Sequence, residues 1–417
     1  MPDTETTCAA ANHKAEPIDK PMRPEQSGPA HQVAGSPGRT VDVCHIAFGG
    51  LGGHGAIVKM LAQQFAEHDL HSAVMLWAPP DDIDDNPDNW PHLDPIIRAP
   101  TAGKFDLRAL AHVTRSVRKL RPRIVLCHTH QPIVAAFIGQ LLAGRRPHVV
   151  IVEHQAIGLR RRIENLRSTI ALIVCQAVVV LSDDYRDRYP LRRWPLPALR
   201  NLTVIANGID TNRYTPSNRS THTSDDRPFT VGMGCRFIPI KDLDTLIDAF
   251  ALLAKRNDQS DHGDRTKPNV MLRLAGDGPT RAELMAQTAT LGLGRTIEFT
   301  GQLDDQQMVN FYASLDVYVQ ASLGETASIS LLEAYACGLA VVASDVEGIR
   351  GFVDDGVDGL LVAVRDPAAI AAAIESLMAN PQRVRELGAA ARQRAESHFS
   401  AATMADAYIA LFEKIGA

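Results

Sequence analysis

The sequence predicts an α/β protein of two similar halves, each a parallel sheet flanked by helices, facing a central cleft. Three observations predict it. Short apolar runs of strand length alternate with amphipathic helical runs from Val41 to Leu181, which calls for parallel strands joined by helical crossovers. The alternation stops at a polar stretch, 216–227, and begins again at Phe229. A chain of 417 residues, 45% of them hydrophobic, has material for two such cores.

The elements follow in order. Residues 1–39 are rich in Pro, Gly, Ala and charge without periodicity, and read as a disordered tail. A buried strand covers 41–48, and Ile57, Val58, Leu61 and Phe65 mark one face of the next helix. Further strands are expected over 71–77, 124–128, 149–153 and 177–181, with helices over 107–120, 133–143 and about 161–175. The Asp/Pro-rich segment 79–95 reads as a surface loop. In the second half the strands are 230–235, 270–275, 296–299, 317–320 and 340–344, and the helices 243–255, 280–291 and 304–314. Residues 255–268 read as a charged insertion, and beyond Pro367 the chain is helical, ending with 401–415. The expected division is a tail 1–39, a first domain 40–206, a second 207–398 and a closing helix 399–417.

Composition removes several function classes. A net charge of −5 gives no global reason to bind nucleic acid. Six cysteines are scattered with no CxxC pair, which argues against a zinc site or a disulfide framework and fits a reducing cytoplasm. The longest apolar run, 170–181, is too short to span a bilayer and is interrupted by Gln176. The N-terminal residues carry no apolar signal core, so no secretory signal is expected.

Four groups of residues carry chemistry. Glu325 sits on a loop, and Glu333, eight positions on, lies in a helix that Gly338 stops. The start of such a helix offers unpaired N–H groups to a phosphate, and two carboxylates suit a polyhydroxylated ligand. Equally, Ser330 and Glu333 have capping-box spacing, and Glu325 could be a solvated loop acid. Arg236 and Lys241 follow the first strand of the second half and suit a diphosphate, or else pair with Asp242 or Asp244 on the surface.

Gly50, Gly52 and Gly55 fit the dinucleotide fingerprint G-x-G-x-x-G between a strand and a helix. The acid expected at the end of the second strand is missing, since Asp81 and Asp82 come later. An NAD-dependent oxidoreductase or epimerase therefore stays open as an alternative. Five glycines among residues 49–55 exceed what a turn needs and favour close backbone approach to a ligand. His154 ends a buried strand at the crevice, as a functional or a structural residue. His128 and His130 end the strand before it. A metal there ranks low without a carboxylate or thiol cluster, so they line the acceptor side or are structural.

Together these motifs resemble a known family. The run Glu325-x7-Glu333-Ala-Tyr-Ala-Cys-Gly before a Val-Val strand is similar to the C-terminal signature of retaining glycosyltransferases of family 4, which have the GT-B fold. Arg236, Lys241 and the helix beginning Thr-Leu-Ile match its pattern, as do Asn207-Gly-Ile-Asp210 and Ala275-Gly-Asp-Gly-Pro279. The resemblance runs from about Val41 onward and is densest over 202–359. It implies two Rossmann-like domains facing a cleft, with the C-terminal helix crossing back to the first.

It also implies transfer of a sugar, with retention, from a nucleotide diphosphate sugar to a glycan or lipid-linked acceptor in cell-surface polysaccharide or glycoconjugate synthesis. No essential metal or other cofactor is implied. By resemblance Glu325, His154, Arg236 and Lys241 are catalytic. Gly52, Gly53, Thr326, Ala327, Ser328 and Glu333 bind the donor beside Arg236 and Lys241. Glu333 would hold ribose, Glu325 the sugar hydroxyls, and Arg236 with Lys241 the leaving diphosphate. Ala340 stands where the family often has Pro, and Thr326-Ala327-Ser328 stands where it often has Gly-Phe-Gly or Gly-Phe-Pro; this second departure falls where backbone amides would meet the donor sugar and leaves the sugar open. An inactive nucleotide-sugar-binding scaffold is a further alternative. Arg115, Arg118, Lys119, Arg121, Arg123, Arg160, Arg161, Arg162 and Arg167 gather positive charge on the first half. That is a solvated face or a contact with an anionic membrane, hence a cytoplasmic protein that can sit peripherally on the inner face.

Overall fold

The computed structural model describes residues 40–49, 53–102, 106–144, 146, 148–154, 172–189, 196–217, 227–258 and 270–417. The expected tail, Gly50, Gly52, Arg160, Arg161, Arg162, Arg167 and most of the polar stretch 216–227 lie outside them.

Two parallel sheets form as the alternation predicts. The first contains β1 (Val43–Ala47), β2 (Ser72–Ala78), β3 (Leu93–Pro100), β4 (Ile124–Cys127), β5 (Val149–Glu153), β6 (Ala177–Val180) and β7 (Leu202–Val204), in the order β3-β2-β1-β4-β5-β6-β7. The second contains β8 (Phe229–Gly234), β9 (Val270–Ala275), β10 (Ile297–Gly301), β11 (Val317–Gln320), β12 (Ala340–Ser344) and β13 (Leu360–Val362), in the order β10-β9-β8-β11-β12-β13. Every residue of β1, β2, β4, β5, β6, β8, β11 and β12 is buried, as befits strands covered by helices on both faces. Strand order reverses between β1 and β4 and between β8 and β11. The ends of these strands are where an open parallel sheet offers a ligand crevice.

One expectation fails. Residues 79–95 are not all surface loop. Trp90 is 1% exposed and packs with Ile83, Leu93 and Ile96 against β2, and Leu93 begins the edge strand β3. The Asp and Pro content of 79–95 suggested a loop, but an edge strand tolerates proline because one side needs no ladder donor.

The chain crosses between the halves twice, and the crossings lie side by side. Ile209 N–H donates to Phe399 O at 2.7 Å, and Ala401 N–H donates to Ile209 O at 3.0 Å. Gly208 permits this, since a Cβ there would sit 2.9 Å from Ala401 Cα. After the second crossing the helix Ala401–Lys414 returns to the first half. Its Met404, Ala405, Tyr408, Leu411 and Phe412 pack on Val43, Leu126, Val150 and Val152, together with Ile57, Leu61 and Phe65 of the helix Gly53–Glu67. Burial of each large apolar side chain contributes roughly 1.5–3 kcal/mol. The helix is therefore anchored to the first sheet, the return expected from the resemblance.

Candidate functional site

The residues singled out in the second half converge at the ends of β8 and β11. Lys241 Nζ donates to both carboxylate oxygens of Glu325, each at 2.8 Å, with the side chains 16% and 11% exposed. Neither surface acid proposed as a partner for Lys241 takes that role. Asp242 instead accepts from Thr245 Oγ1 at 2.9 Å. The two loops are tied by their main chains. Leu323 N–H donates to Ile240 O at 2.8 Å, and Ser322 Oγ donates to the same carbonyl at 3.0 Å. Arg236 lies on the β8 loop, exposed, with no ion pair among the described residues. The pair and the free guanidinium leave one unneutralised cation at this edge, which suits an anion.

Glycines set the loop geometry. A Cβ on Gly276 would fall 1.9 Å from Cys235 O, and one on Gly278 would fall 2.3 Å from Phe237 O. Both have φ in the left-handed region, at +131° and +158°. The Gly-Asp-Gly turn after β9 thus buttresses the loop that carries Arg236. Gly348 does the same for Glu325. A Cβ there would fall 1.8 Å from Glu325 O and 2.8 Å from Thr326 Cα.

The helix Ile329–Ala336 begins at Ser328, whose Oγ accepts from Leu331 N–H at 3.3 Å and donates to Gln320 Oε1 at 2.9 Å. Ser328 is the cap, so the capping box of Ser330 with Glu333 does not form. Glu333 instead accepts from Tyr312 Oη at 2.6 Å, with Tyr214 as a second phenol donor. Burial pushes its carboxyl up to about 7, against the pull of the two phenols, although the group keeps an accessible edge. Thr326 and Ala327 lie half-buried between Glu325 and the helix.

The first half meets this edge directly. A Cβ on Gly53 would sit 3.0 Å from Ile329 Cδ1, and Met60, Ala327 and Ile329 all pack against the same two apolar clusters. Gly53 is the described end of the glycine loop, while Gly50 and Gly52 lie outside the described residues. Gly49, at the loop's start, packs on Ala78 and Ile83, each 3.1 Å from where its Cβ would be. Trp77 and Ala78 close β2 as buried apolar residues, and Asp81 and Asp82 are exposed on the following turn. A ribose-binding acid is therefore not at the strand end.

His154 follows β5 at the cleft. Its Nε2 lies 3.0 Å from His128 Nδ1, and its ring lies 4.4 Å from that of His54. Burial, then the neighbouring imidazoles, hold His154 and His128 well below the ordinary histidine range. His130 turns elsewhere: its Nε2 is 3.0 Å from Glu153 Oε1, which also accepts from Tyr189 Oη at 2.8 Å. No cluster of three or more His, Cys, Asp or Glu suited to a metal occurs among the described residues.

Sequence reasoning missed three contributors: Tyr312 and Tyr214 around Glu333, and Gly348 beneath Glu325. Tyr312 carried a signal only as an apolar position of its helix. Tyr214 and Gly348 carried none, because their contacts are long-range.

Comparison with known proteins gives a consistent result. The family model for glycosyl transferases group 1 matches residues 215–394, and the model for glycosyltransferase family 4 matches 51–213. A lipopolysaccharide core biosynthesis glycosyltransferase of Rhizobium meliloti is 33% identical over 213 residues, covering 51% of this chain and 58% of that protein. An alpha-maltose-1-phosphate synthase of Mycolicibacterium smegmatis is 28% identical over 351 residues, covering 78% and 87%. A D-inositol 3-phosphate glycosyltransferase of Geodermatophilus obscurus is 33% identical and is matched over 47% of its length, so the chain spans about half of several curated relatives. Among solved structures, Anabaena HepE in complex with UDP and glucose superposes with a TM-score of 0.72 at 21% identity, covering 90% of this chain and 100% of that one. Sucrose-phosphate synthase of Thermosynechococcus elongatus does so with 0.71 at 22%, covering 90% and 99%. The fold is that of these two-domain enzymes.

Proposed function

The chain belongs to the glycosyltransferases of group 1 and family 4, and on that premise we propose that it moves a sugar, with retention, from a nucleotide diphosphate sugar to a glycan or lipid-linked acceptor in glycoconjugate synthesis. The observation that carries the proposal is the Lys241–Glu325 pair, locked between two strand-end loops beside the unpaired Arg236. A leaving diphosphate gains negative charge as the sugar departs. Arg236, Lys241 and the helix start at Ser328 would offset it, and stabilising charge as it develops is how such groups lower a barrier. In the donor complex Lys241 would turn to phosphate oxygens, freeing Glu325 for sugar hydroxyls. Glu333 would accept from the ribose hydroxyls, and His154 would face the sugar from the first half. Gly52 and Gly53 would lie close to the donor. On this reading Arg236, Lys241 and the helix start would together offset the diphosphate charge without a metal.

The test is a thermal-shift panel of UDP-, GDP-, ADP- and TDP-sugars with NAD(H), with and without EDTA. HepE holds UDP and glucose, so a UDP-sugar is the first donor to try. A ligand at about a hundred times its dissociation constant adds roughly 2.7 kcal/mol. Stabilisation by one nucleotide sugar, unchanged by EDTA, supports the proposal, and the anomeric form of the product tests retention. Stabilisation by NAD(H) alone would move the function to the glycine loop.

A membrane-facing acceptor is favoured by one surface. The helices Leu107–Leu120 and Ile133–Leu142 pack together, joined by Thr114 Oγ1 donating to Ala135 O at 3.1 Å. They expose Val134, Ile138, Leu141 and Leu142 beside exposed Arg115, Arg118, Lys119 and Arg121. No helix among the described residues is long and apolar enough to cross a membrane. Salt-sensitive co-sedimentation with anionic vesicles is expected, and equal recovery without vesicles would remove this reading.

A further inference from the structure

Three histidines stand in a row across the middle of the first sheet. His45 lies in β1 opposite Leu126 of β4, which lies opposite Val150 of β5. His128 and His154 continue the same face, each further toward the cleft than the last. His45 Nδ1 is 3.3 Å from His128 Nε2, and His128 Nδ1 is 3.0 Å from His154 Nε2. The rings are nearly parallel, tilted 15° and 22°, with centroids 5.6 and 5.3 Å apart. At the inner end His45 is fully buried against Phe65, and its Nε2 has no hydrogen-bond partner among the described residues.

We propose that His45 and His128 are positioning residues for His154, fixing its tautomer so that Nδ1–H is the donor it offers to the cleft. The proposal rests on the glycosyltransferase reading for its ligand but not for its geometry. A neutral imidazole has one N–H and one lone pair, so two bonds in series allow only two arrangements, all Nδ1–H or all Nε2–H. The sealed end chooses between them. All Nε2–H would bury a bare N–H at His45, and unpaired buried donors are rarer than under-satisfied acceptors. All Nδ1–H leaves a lone pair there. His45 Nδ1–H then donates to His128 Nε2, and His128 Nδ1–H donates to His154 Nε2. The N–H left over is His154 Nδ1–H, suited to a sugar hydroxyl oxygen or a phosphate oxygen.

The row also stays uncharged. Burial brings His45 down to about 3 and holds the other two low, with His54 and His130 as the neighbouring titratable groups acting on His154. A proton added at His128 or His154 would leave two N–H groups facing each other, and one added at His45 Nε2 would place a charge on a fully buried ring. The arrangement orients His154 without asking it to exchange a proton.

Long-range proton–nitrogen correlation spectra of protein labelled with nitrogen-15 histidine read each tautomer directly. The expected result at neutral pH is Nδ1–H at His45, His128 and His154. An Nε2–H ring or an imidazolium at His154 would overturn the proposal. His45→Phe should release the His154 tautomer and lower kcat about tenfold, the equivalent of one hydrogen bond, with donor KM little changed. His45→Asn, whose amide can donate from the place of Nδ1, should restore both. Equal loss in the two variants, with melting temperatures unchanged, would also overturn it. If Arg236→Ala and Lys241→Ala keep full turnover, the functional reading fails while the tautomer result stands.

Discussion

The two edges of the cleft are held by different physics. On the second sheet, charged side chains are placed by main chain touching main chain, at Gly276, Gly278 and Gly348, where no Cβ fits. On the first sheet, uncharged rings are placed by side chain touching side chain. The difference follows from what each edge would face. Charge on a ligand is met best by groups that do not move, and a backbone clamp supplies that. Hydroxyl groups are met by direction, and a hydrogen-bonded row supplies that.

The largest expected effect breaks the charged edge. Lys241→Ala should lower kcat/KM for transfer by about a hundred- to a thousandfold, with Arg236→Ala and Glu325→Ala in the same direction. Circular dichroism and melting temperature should stay close to the parent. Wild-type turnover in all three would remove the site assignment.

Gly348→Ala tests the backbone clamp without touching a charge. Its Cβ would collide with Glu325 O, so the Glu325 loop must shift. A shift near 1 Å costs about a hundredfold in rate. Steady-state kinetics should show this mainly in kcat. An unchanged rate would mean that the loop is free to reposition.

The Glu333 carboxyl sharpens the comparison, because it is the acid of this edge that titrates near neutrality. Ribose hydroxyls donate, so they bind the ionised form. With the free site near 7, nucleotide diphosphate affinity should rise about tenfold from pH 6 to pH 8 and then level off. Stability should move the other way. The fold holds a proton that the unfolded chain releases above the usual carboxylate range, so this group's penalty grows from there as pH rises to about 7. Isothermal titration on wild type and Glu333→Gln checks the affinity, and urea unfolding across the same pH range checks the stability. The variant should bind more weakly and lose the pH dependence.

The smallest effect is Ser328→Ala. Removing this cap should cost about 1 kcal/mol in urea unfolding, with a lesser change in donor affinity than any change above.

The sequence was most legible where one local signal sufficed. Strands 149–153, 270–275, 317–320 and 340–344 and the helix 107–120 fall where their apolar patterns placed them. Glu325, Lys241 and Arg236 were singled out through the family resemblance, and the structure brings the first two into contact. What stayed hidden depends on distant parts of the chain. β3 was masked by its prolines, whose acceptability depends on an edge position that no local window reveals. Gly348 reads as an ordinary helix-start glycine until Glu325 is seen against it. His45 reads as one polar residue in a buried strand until two further strands bring His128 and His154 alongside.

The return of the helix Ala401–Lys414 to the first sheet has a consequence for how the protein is made. Synthesis runs from the first half to the second, and early segments fold as they emerge. Yet one face of the first sheet, with Val43, Leu126, Val150 and Val152, is covered in part by residues translated after the whole second half. During that interval the nascent first half carries an uncovered apolar surface next to its histidine row. Its final form waits on that late segment.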